Sequence, residues 1–400
     1  MFTKDRNSVL PPLLATQFLG VFNDHAYKTA AIFAIIGASG DYSRNAAFLA
    51  MITFVYALPF IVFPSPAGYF ADRFSKRNVI VVTKVAELLI MLLAVVAFAK
   101  FAEWGMGALI FVMFLMSAQS SFFSPAYNGV IPELFSEKKI SRVNGMSGML
   151  TMLSVLLGMG LGGLVKSIAG DRLVWCGVFC ASISFIGMVA AFMVEPVPSL
   201  SSERRWTWRW FSDFYKSIRY VSSIKPLFLC ALGDAYFAAV GIAFQSILLI
   251  YGKFSLGLMK VGELVLLQLV SGLGIGIGCY LAGRISGRKV ELGLVPYGAA
   301  GIFIFMLLIL IPGPSLQIGG IMVFPLLTFL LLLSGISGGF FIVPLRAYIQ
   351  QKSSSSRRGE IIASTNVLSF ISIALGGIIL FLLTSGVSEA EKGSLAGVER

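Results

Sequence analysis

The sequence predicts an all-α polytopic membrane protein, and three observations carry that prediction. Of its 400 residues, 57% are hydrophobic and only 12% are charged, whereas a soluble domain carries about 25% charged residues. The mean hydropathy is +0.87. The apolar runs are continuous, unlike the alternating strands of an outer-membrane barrel. These features exclude a soluble enzyme, a disordered chain and a nucleic-acid-binding domain.

Eleven apolar segments are long enough to cross a bilayer, which requires about 20 residues of helix. The predicted spans cover residues 11–37, 46–70, 78–100, 105–127, 145–167, 173–194, 226–251, 259–283, 291–312, 319–345 and 361–385. The long polar stretch after the sixth span predicts the division of the chain. We expect a six-helix bundle over 1–194, a cytoplasmic amphipathic linker over 195–225, a five-helix bundle over 226–385 and a polar tail over 386–400.

The distribution of Lys and Arg predicts a cytoplasmic N-terminus. With that orientation, 21 of the 31 basic residues fall in cytoplasmic segments, including Arg346 after the tenth span, and 8 fall on the other side. Lys and Arg are enriched in the cytoplasmic loops of membrane proteins. The net charge of +12 therefore faces anionic membrane lipids and requires no nucleic acid as a partner.

The two halves of the chain resemble each other at an offset of about 210 residues. Four features recur in the same order, namely a polar motif, a basic loop, a Phe-Phe segment ending in Pro, and a Gly-Gly pair. They occur at 23–27 and 233–236, 71–77 and 283–289, 122–125 and 340–344, and 162–163 and 376–377. Such parallel repeats suit alternating access between two bundles. The symmetry predicts a twelfth span after residue 385, so either the last helix is dispensable or the chain is part of a longer one.

One loop and three other segments of the sequence resemble a known family. The loop Gly68–Arg77 resembles the loop signature of the major facilitator superfamily, with Ser75 where Gly is usual. Residues 16–24, 114–125 and 338–345 resemble its lysophospholipid transporter branch, above all members fused ahead of an acyltransferase. The resemblance covers about residues 11–385 and implies a major facilitator fold in the bacterial inner membrane.

The resemblance also implies a function. Members of that branch move lysophospholipids, mainly lysophosphatidylethanolamine, toward the cytoplasmic leaflet for reacylation. The expected partners are membrane lipids, the lysophospholipid substrate and a fused or associated acyltransferase. We expect no cofactor, and one His in the chain leaves little for a metal site. The chain departs from the family at Tyr127 and Asn128 (often Lys), at Gln245 (Arg in some members) and at Ser369 (Glu in some members), which bears on the substrate more than on the fold.

Charged and polar residues inside spans are costly and are candidates for a substrate cavity. Asp24 and Lys28 share one helix face, so they form either an internal ion pair or a site for a zwitterionic head group. Lys84 and Glu87 allow the same two interpretations, and Asp234 requires a partner from another helix. The predicted cavity residues are Asn23, Asp24, Lys28, Lys84, Glu87, Tyr127, Asn128, Asp234, Gln245 and Asn366.

Two basic loops predict gates that open and close as the bundles move. The first contains an acid beside its cations, and the second has no matching acid. The predicted gating residues are Gly68, Asp72, Arg73, Lys76, Arg77, Arg284, Arg288 and Lys289.

Two alternatives to lysophospholipid transport stay open. One is a proton-coupled transporter of small solutes or drugs, with Asp24 or Asp234 as the titrating carboxylate. The other is the membrane-anchoring half of a fused acyltransferase. That enzyme requires His and Asp separated by four residues, but Ala30 stands five positions after His25, the single His. This chain is therefore not expected to be the enzyme.

Overall fold

A computed structural model describes residues 8–38, 42–198, 210–258, 261–287, 289–311, 313–318 and 321–398. These residues form thirteen α-helices, a π-helical turn at Tyr251–Ser255 and two short antiparallel strands. In chain order the elements are α1 (Leu10–Ala38), α2 (Tyr42–Val62), α3 (Pro64–Arg73), α4 (Lys76–Ala99), α5 (Phe101–Leu134), α6 (Glu137–Ala169), α7 (Val174–Phe192), α8 (Trp210–Ser223), α9 (Lys225–Ile250), α10 (Val261–Ile285), α11 (Leu294–Leu308), β1 (Leu316–Ile318), β2 (Ile321–Val323), α12 (Pro325–Lys352) and α13 (Arg358–Val398).

Eight of the described helices are long and apolar enough to cross a membrane. Residues Phe54–Val62 of α2 and the helix α3 make a ninth candidate, bent by 52° where they meet. Pro59 inside α2 and Pro64 at the start of α3 account for the bend, because proline removes a helical hydrogen bond. The apolar helix α11 has only 15 residues, so eleven spans stay a prediction.

The helices form two halves with the same internal packing. In the N-half (α1–α7), α1 packs on α6, and α2 and α4 pack on α5. In the C-half (α9–α13), α9 packs on α13, and α10 and α11 pack on α12. An apolar core inside the N-half joins α1, α4, α5 and α7 through Phe22, Met91, Met113 and Cys180. The helix α8 lies between the halves in sequence and contacts α3, α9 and α13.

The halves meet along α6 against α10 and along α3 against α13. At the first seam, a Cβ atom on Gly145 would lie 2.5 Å from the carbonyl oxygen of Cys279, so the two backbones approach as closely as glycine allows. Hydrogen bonds and an ion pair between the halves lie near the loops 74–75, 135–136 and 353–357. We call this end of the molecule the basic end, since Lys76, Arg77, Lys138 and Arg357 lie in or beside those loops.

Two sequence expectations differ from the fold. Arg346 was expected in a loop, but it lies inside α12, which continues to Lys352; that expectation was wrong. The helix α13 continues to Val398, past the expected span end at 385. Within the linker, the described helix begins only at Trp210, and residues 199–209 lie outside the described residues.

Candidate functional site

A cavity of about 210 Å³ lies between the two halves. It is lined by α1, α5 and α6 on one side and by α9, α10, α12 and α13 on the other. Four predicted cavity residues line it: Tyr127, Asn128, Asp234 and Asn366. The lining is rich in neutral amides and hydroxyls, and it holds one ion pair, which belongs to the C-half.

The ion pair joins Asp234 of α9 to Arg346 of α12. The Nε of Arg346 donates to Oδ1 of Asp234 at 2.8 Å, and the Ser369 hydroxyl donates to Oδ2 at 2.7 Å. The Asp234 side chain is 8% exposed, whereas the Arg346 side chain is 55% exposed and lines the cavity. The two Nη groups of Arg346 have no protein partner among the described residues. The arrangement therefore presents a planar pair of charged donors toward the cavity.

Between this ion pair and the basic end, neutral side-chain amides close the cavity. The side chains of Asn144 and Gln350 exchange two hydrogen bonds, at 2.7 and 3.0 Å, across the halves. Gln350 also donates to Asn128 at 3.3 Å, and Asn366 donates to Ser124 at 3.0 Å. Neutral hydrogen bonds contribute about 0.5–1.5 kcal/mol each, so this amide layer is a closure that can be broken at modest cost.

The second closure is formed by the carboxylate of Asp72, which contacts the start of α13. Asp72 of α3 accepts hydrogen bonds from the backbone N–H groups of Gly359 (2.6 Å) and Glu360 (3.0 Å). The first N–H groups of a helix have no partner within that helix and carry positive partial charge. A Cβ atom on Gly68 would lie 2.7 Å from the Cα of Glu360. The absence of a side chain at Gly68 therefore lets α3 approach α13 closely enough for this contact.

The carboxylate of Glu133, which lies near two cations, adds a charged contact to the same closure. Glu133 of α5 lies 2.6 Å from the Nζ of Lys76 and 3.8 Å from Nη1 of Arg358 in the C-half. The side chains of all three are less than a tenth exposed. Nearby, Gln351 donates to Glu137 at 2.9 Å, again across the halves. The Glu133–Arg358 and Gln351–Glu137 contacts cross the halves and have to break before the halves can part at the basic end, whereas the Lys76–Glu133 pair lies within the N-half.

The other predicted gating residues make weaker contributions. Arg77 donates to the carbonyls of Val194 (3.2 Å) and Phe192 (3.1 Å) within the N-half. The carbonyl of Lys289 accepts from the Ser141 hydroxyl across the halves at 3.5 Å. Arg73 and Arg284 are exposed, and Arg288 lies outside the described residues.

Three predicted cavity residues lie inside the N-half instead. Lys84 and Glu87 form an ion pair at 2.6 Å, with side chains 1% and 2% exposed. Asn23 donates to Ser184 at 2.9 Å and to Glu87 at 3.4 Å. The structure thus favours the structural interpretation of Lys84 and Glu87, because α4 turns this face toward α1 and α7 and away from the cavity.

Asp24 and Lys28 are not paired with each other in the structure. Oδ2 of Asp24 accepts from the Ser120 hydroxyl at 2.8 Å, while Oδ1 is buried and has no hydrogen-bond partner in the described part of the chain. The ammonium of Lys28 lies 5.0 Å from the ring centre of Tyr56. Gln245 has an exposed side chain and is not part of the cavity.

Sequence reasoning missed several residues of the site. Arg346, Gln350 and Arg358 were missed because their positions near the predicted ends of spans suggested loops. Glu133 was missed for the same reason. One signal was present: Asp234 is an unpaired acid within a span and requires a cation from another helix, and Arg346, directly after the predicted span 319–345, is one of the basic residues that adjoin a span in the C-half.

Comparison with known sequences identifies relatives of the chain. The sequence model of the Major Facilitator Superfamily matches residues 16–377. The lysophospholipid transporter LplT of Yersinia pestis (strain Pestoides F) is 26% identical over 363 residues, which are 89% of this chain and 82% of that protein. The lysophospholipid transporter LplT of Yersinia pseudotuberculosis serotype O:3 (strain YPIII) matches to the same extent.

Comparison of structures gives the same fold. The transporter FucP, in the outward conformation, superposes with a TM-score of 0.70 at 14% identity, over 96% of this chain and 93% of FucP. The human organic anion transporter MFSD10 superposes with a TM-score of 0.66 at 14% identity, over 93% of this chain and 92% of that chain. At such low identity the likeness establishes the fold alone.

Proposed function

The chain belongs to the Major Facilitator Superfamily, and from that premise we propose that it moves lysophospholipid across a bacterial inner membrane by alternating access. The proposed cargo resembles lysophosphatidylethanolamine, delivered to the cytoplasmic leaflet for reacylation. The names of the Yersinia relatives support this class of cargo. The basic end is proposed to be the cytoplasmic side, in accordance with the distribution of Lys and Arg.

One observation carries the choice of cargo: the Asp234–Arg346 pair faces the cavity, and no described residue accepts a hydrogen bond from the Nη groups of Arg346. A guanidinium binds phosphate oxygens through parallel charge-assisted hydrogen bonds. A zwitterionic head group offers a phosphate for Arg346 and an ammonium for Asp234. Such a ligand replaces the protein ion pair with two new ones, which limits the cost of separating the buried charges.

The closed basic end defines the step of the cycle. The cap on α13 and the amide layer between Asn144 and Gln350 both block the path toward that end. We assign this conformation to the state that receives substrate from the opposite side of the membrane. Arg346 and Gln350 both lie on α12. Binding of the head group at Arg346 is therefore linked to the breaking of the hydrogen bonds between Asn144 and Gln350.

A second candidate function is proton-coupled transport of a small solute. It is favoured by Asp24, whose buried Oδ1 has no hydrogen-bond partner among the residues that the structure describes, and by the ion pair that the nearby Lys84 forms with Glu87. A carboxylate with that environment is a candidate to carry a proton. The two functions differ in cargo and in dependence on a proton gradient.

The test is uptake of labelled lysophosphatidylethanolamine into spheroplasts that express the full chain. We expect uptake above that of spheroplasts without the protein, competition by unlabelled lysophosphatidylethanolamine, and no competition by glycerophosphoethanolamine, which lacks the acyl chain. Absence of uptake overturns the proposed cargo. Uptake that vanishes in Asp24→Asn and when the proton gradient is collapsed supports proton coupling, while uptake insensitive to both excludes it.

A further inference from the structure

A second cavity opens on the outer wall of the N-half, away from the site between the halves. Its volume is about 550 Å³, and its walls come from the end of α3, the first half of α4 and the middle of α5. Phe70 and Phe74 form one wall, Val79 and Val82 another, and Phe122 the floor. We call it the α3–α4 groove. Apart from the side chains of Asn78, Thr83 and Gln119, its lining residues are apolar.

The groove lies directly behind the helix that carries the closure of the basic end. One face of α3 packs on α13, where Gly68 and Asp72 contact the start of that helix. The opposite face presents Phe70, whose ring lies 5.7 Å from that of Phe74 and 5.9 Å from that of Phe122. The ten residues of α3 therefore separate the groove from α13, and a bend of 52° after Val62 sets α3 at an angle to α2.

The surroundings of the groove indicate which kind of ligand it binds. Val82 is 66% exposed on α4, a helix that is a candidate to cross the membrane, and Phe74 is 48% exposed in the turn before α4. In a bilayer such surface is covered by lipid hydrocarbon. The exposed side chain of Asn78 lines the groove at the start of α4, beside the basic end.

We propose that the α3–α4 groove binds one acyl chain of a resident phospholipid of the leaflet at the basic end. The bound chain supports α3 in the position in which Asp72 caps α13. A ligand that binds one conformation better than another shifts the equilibrium toward that conformation. The occupied groove therefore stabilises the state that is closed at the basic end. This site is separate from the transported lipid and does not rest on the proposed cargo.

The experiment uses the full-length protein in liposomes of phosphatidylethanolamine and phosphatidylglycerol, with a trace of phospholipid that carries a photoreactive acyl chain. Peptide mapping measures where the chain attaches. Val82→Asn places an amide in the groove, and Leu89→Asn is its control, because Leu89 is also on α4, is 62% exposed and lies outside the groove. We expect attachment at 70–86 in wild type and in Leu89→Asn, and its loss in Val82→Asn.

The second readout is the reaction of Cys279, buried between the halves, with a membrane-impermeant maleimide applied from the basic end. We expect Val82→Asn to accelerate that reaction about fivefold or more, the lower end of typical couplings between sites, and Leu89→Asn to leave it unchanged. Equal attachment along all exposed positions of α4 overturns the site. Loss of attachment without a change at Cys279 overturns the link to the closure. Displacement of the label by lysophosphatidylethanolamine overturns the assignment to a resident phospholipid.

Discussion

Replacing Arg346 with Gln removes the cation that faces the cavity while leaving a side chain of similar reach. Two separate effects follow from the geometry. The substrate loses charge-assisted hydrogen bonds to its phosphate, and Asp234 keeps only its hydrogen bond from Ser369. The first effect changes substrate binding, and the second changes the stability of the folded protein.

The two effects have different sizes. Hydrogen bonds to charged groups contribute about 1.5–3 kcal/mol, so Arg346→Gln raises the KM for lysophosphatidylethanolamine about 10- to 150-fold. Stranding the carboxylate of Asp234, which is 8% exposed, costs about 1–3 kcal/mol of unfolding free energy. The cost stays below that of a fully buried pair, because Arg346 is 55% exposed and screened by water.

The assay separates the two effects with a second substitution. Adding Asp234→Asn to Arg346→Gln removes the stranded charge, so we expect the melting temperature to recover while the KM stays raised. Arg346→Lys keeps the charge but loses the planar pair of donors, and its KM is expected to fall between those of wild type and Arg346→Gln. Arg219→Gln, which makes the same change at an exposed position of α8, is the control for the overall loss of charge.

One result refutes the reasoning. If Arg346→Gln is folded, inserted and transports with a KM within a factor of about two of wild type, a difference below 0.5 kcal/mol, the phosphate is not bound by this guanidinium. A KM that recovers together with the melting temperature in the double variant also refutes it, because the defect then comes from the stranded carboxylate.

Three further predictions concern the closure and the interior of the N-half. Asp72→Ala removes the cap on α13, which is worth about 0.5–2 kcal/mol, and should speed the reaction of Cys279 with maleimide from the basic end by about 2- to 30-fold; an unchanged rate contradicts a role for the cap. Lys84→Met leaves the carboxylate of Glu87 without its cation and should lower the unfolding free energy by about 3–5 kcal/mol. Thermal melting should show that stability recovers in Lys84→Met/Glu87→Leu, and stability that does not recover points to a role beyond the ion pair. Gly145→Val places side-chain atoms against the carbonyl of Cys279 and should open the basic end, which the same maleimide reaction measures. Gly160→Val is the control, because a Cβ atom at Gly160 has open space.

The sequence predicted the family-level fold because hydropathy and repeated motifs are local properties of the chain. Continuous apolar runs predict helices, and the loop from Gly68 to Arg77 carries the resemblance that the match over residues 16–377 confirms. The bend between α2 and α3 was not predicted, because proline inside a membrane helix is also compatible with a single span.

Pairing within the site could not be predicted in the same way. Asp24 and Lys28 share a helix face in the sequence, yet Asp24 accepts from Ser120 on another helix. Asp234 and Arg346 are 112 residues apart, and only the packing of α9 on α12 brings them together. Which polar residues meet depends on how helices rotate about their axes, and a single sequence holds little information on that rotation.

The central claim, that the halves must part at the basic end for transport, is tested most directly by joining them there. Glu137 is exposed and Gln351 is half-buried, and the two form a hydrogen bond of 2.9 Å across the halves. In Glu137→Cys/Gln351→Cys, a short bis-maleimide linker should reduce lysophosphatidylethanolamine uptake to the background of empty liposomes, while each single variant treated in the same way keeps its uptake. Uptake at the wild-type rate by the cross-linked protein would contradict alternating access through this end.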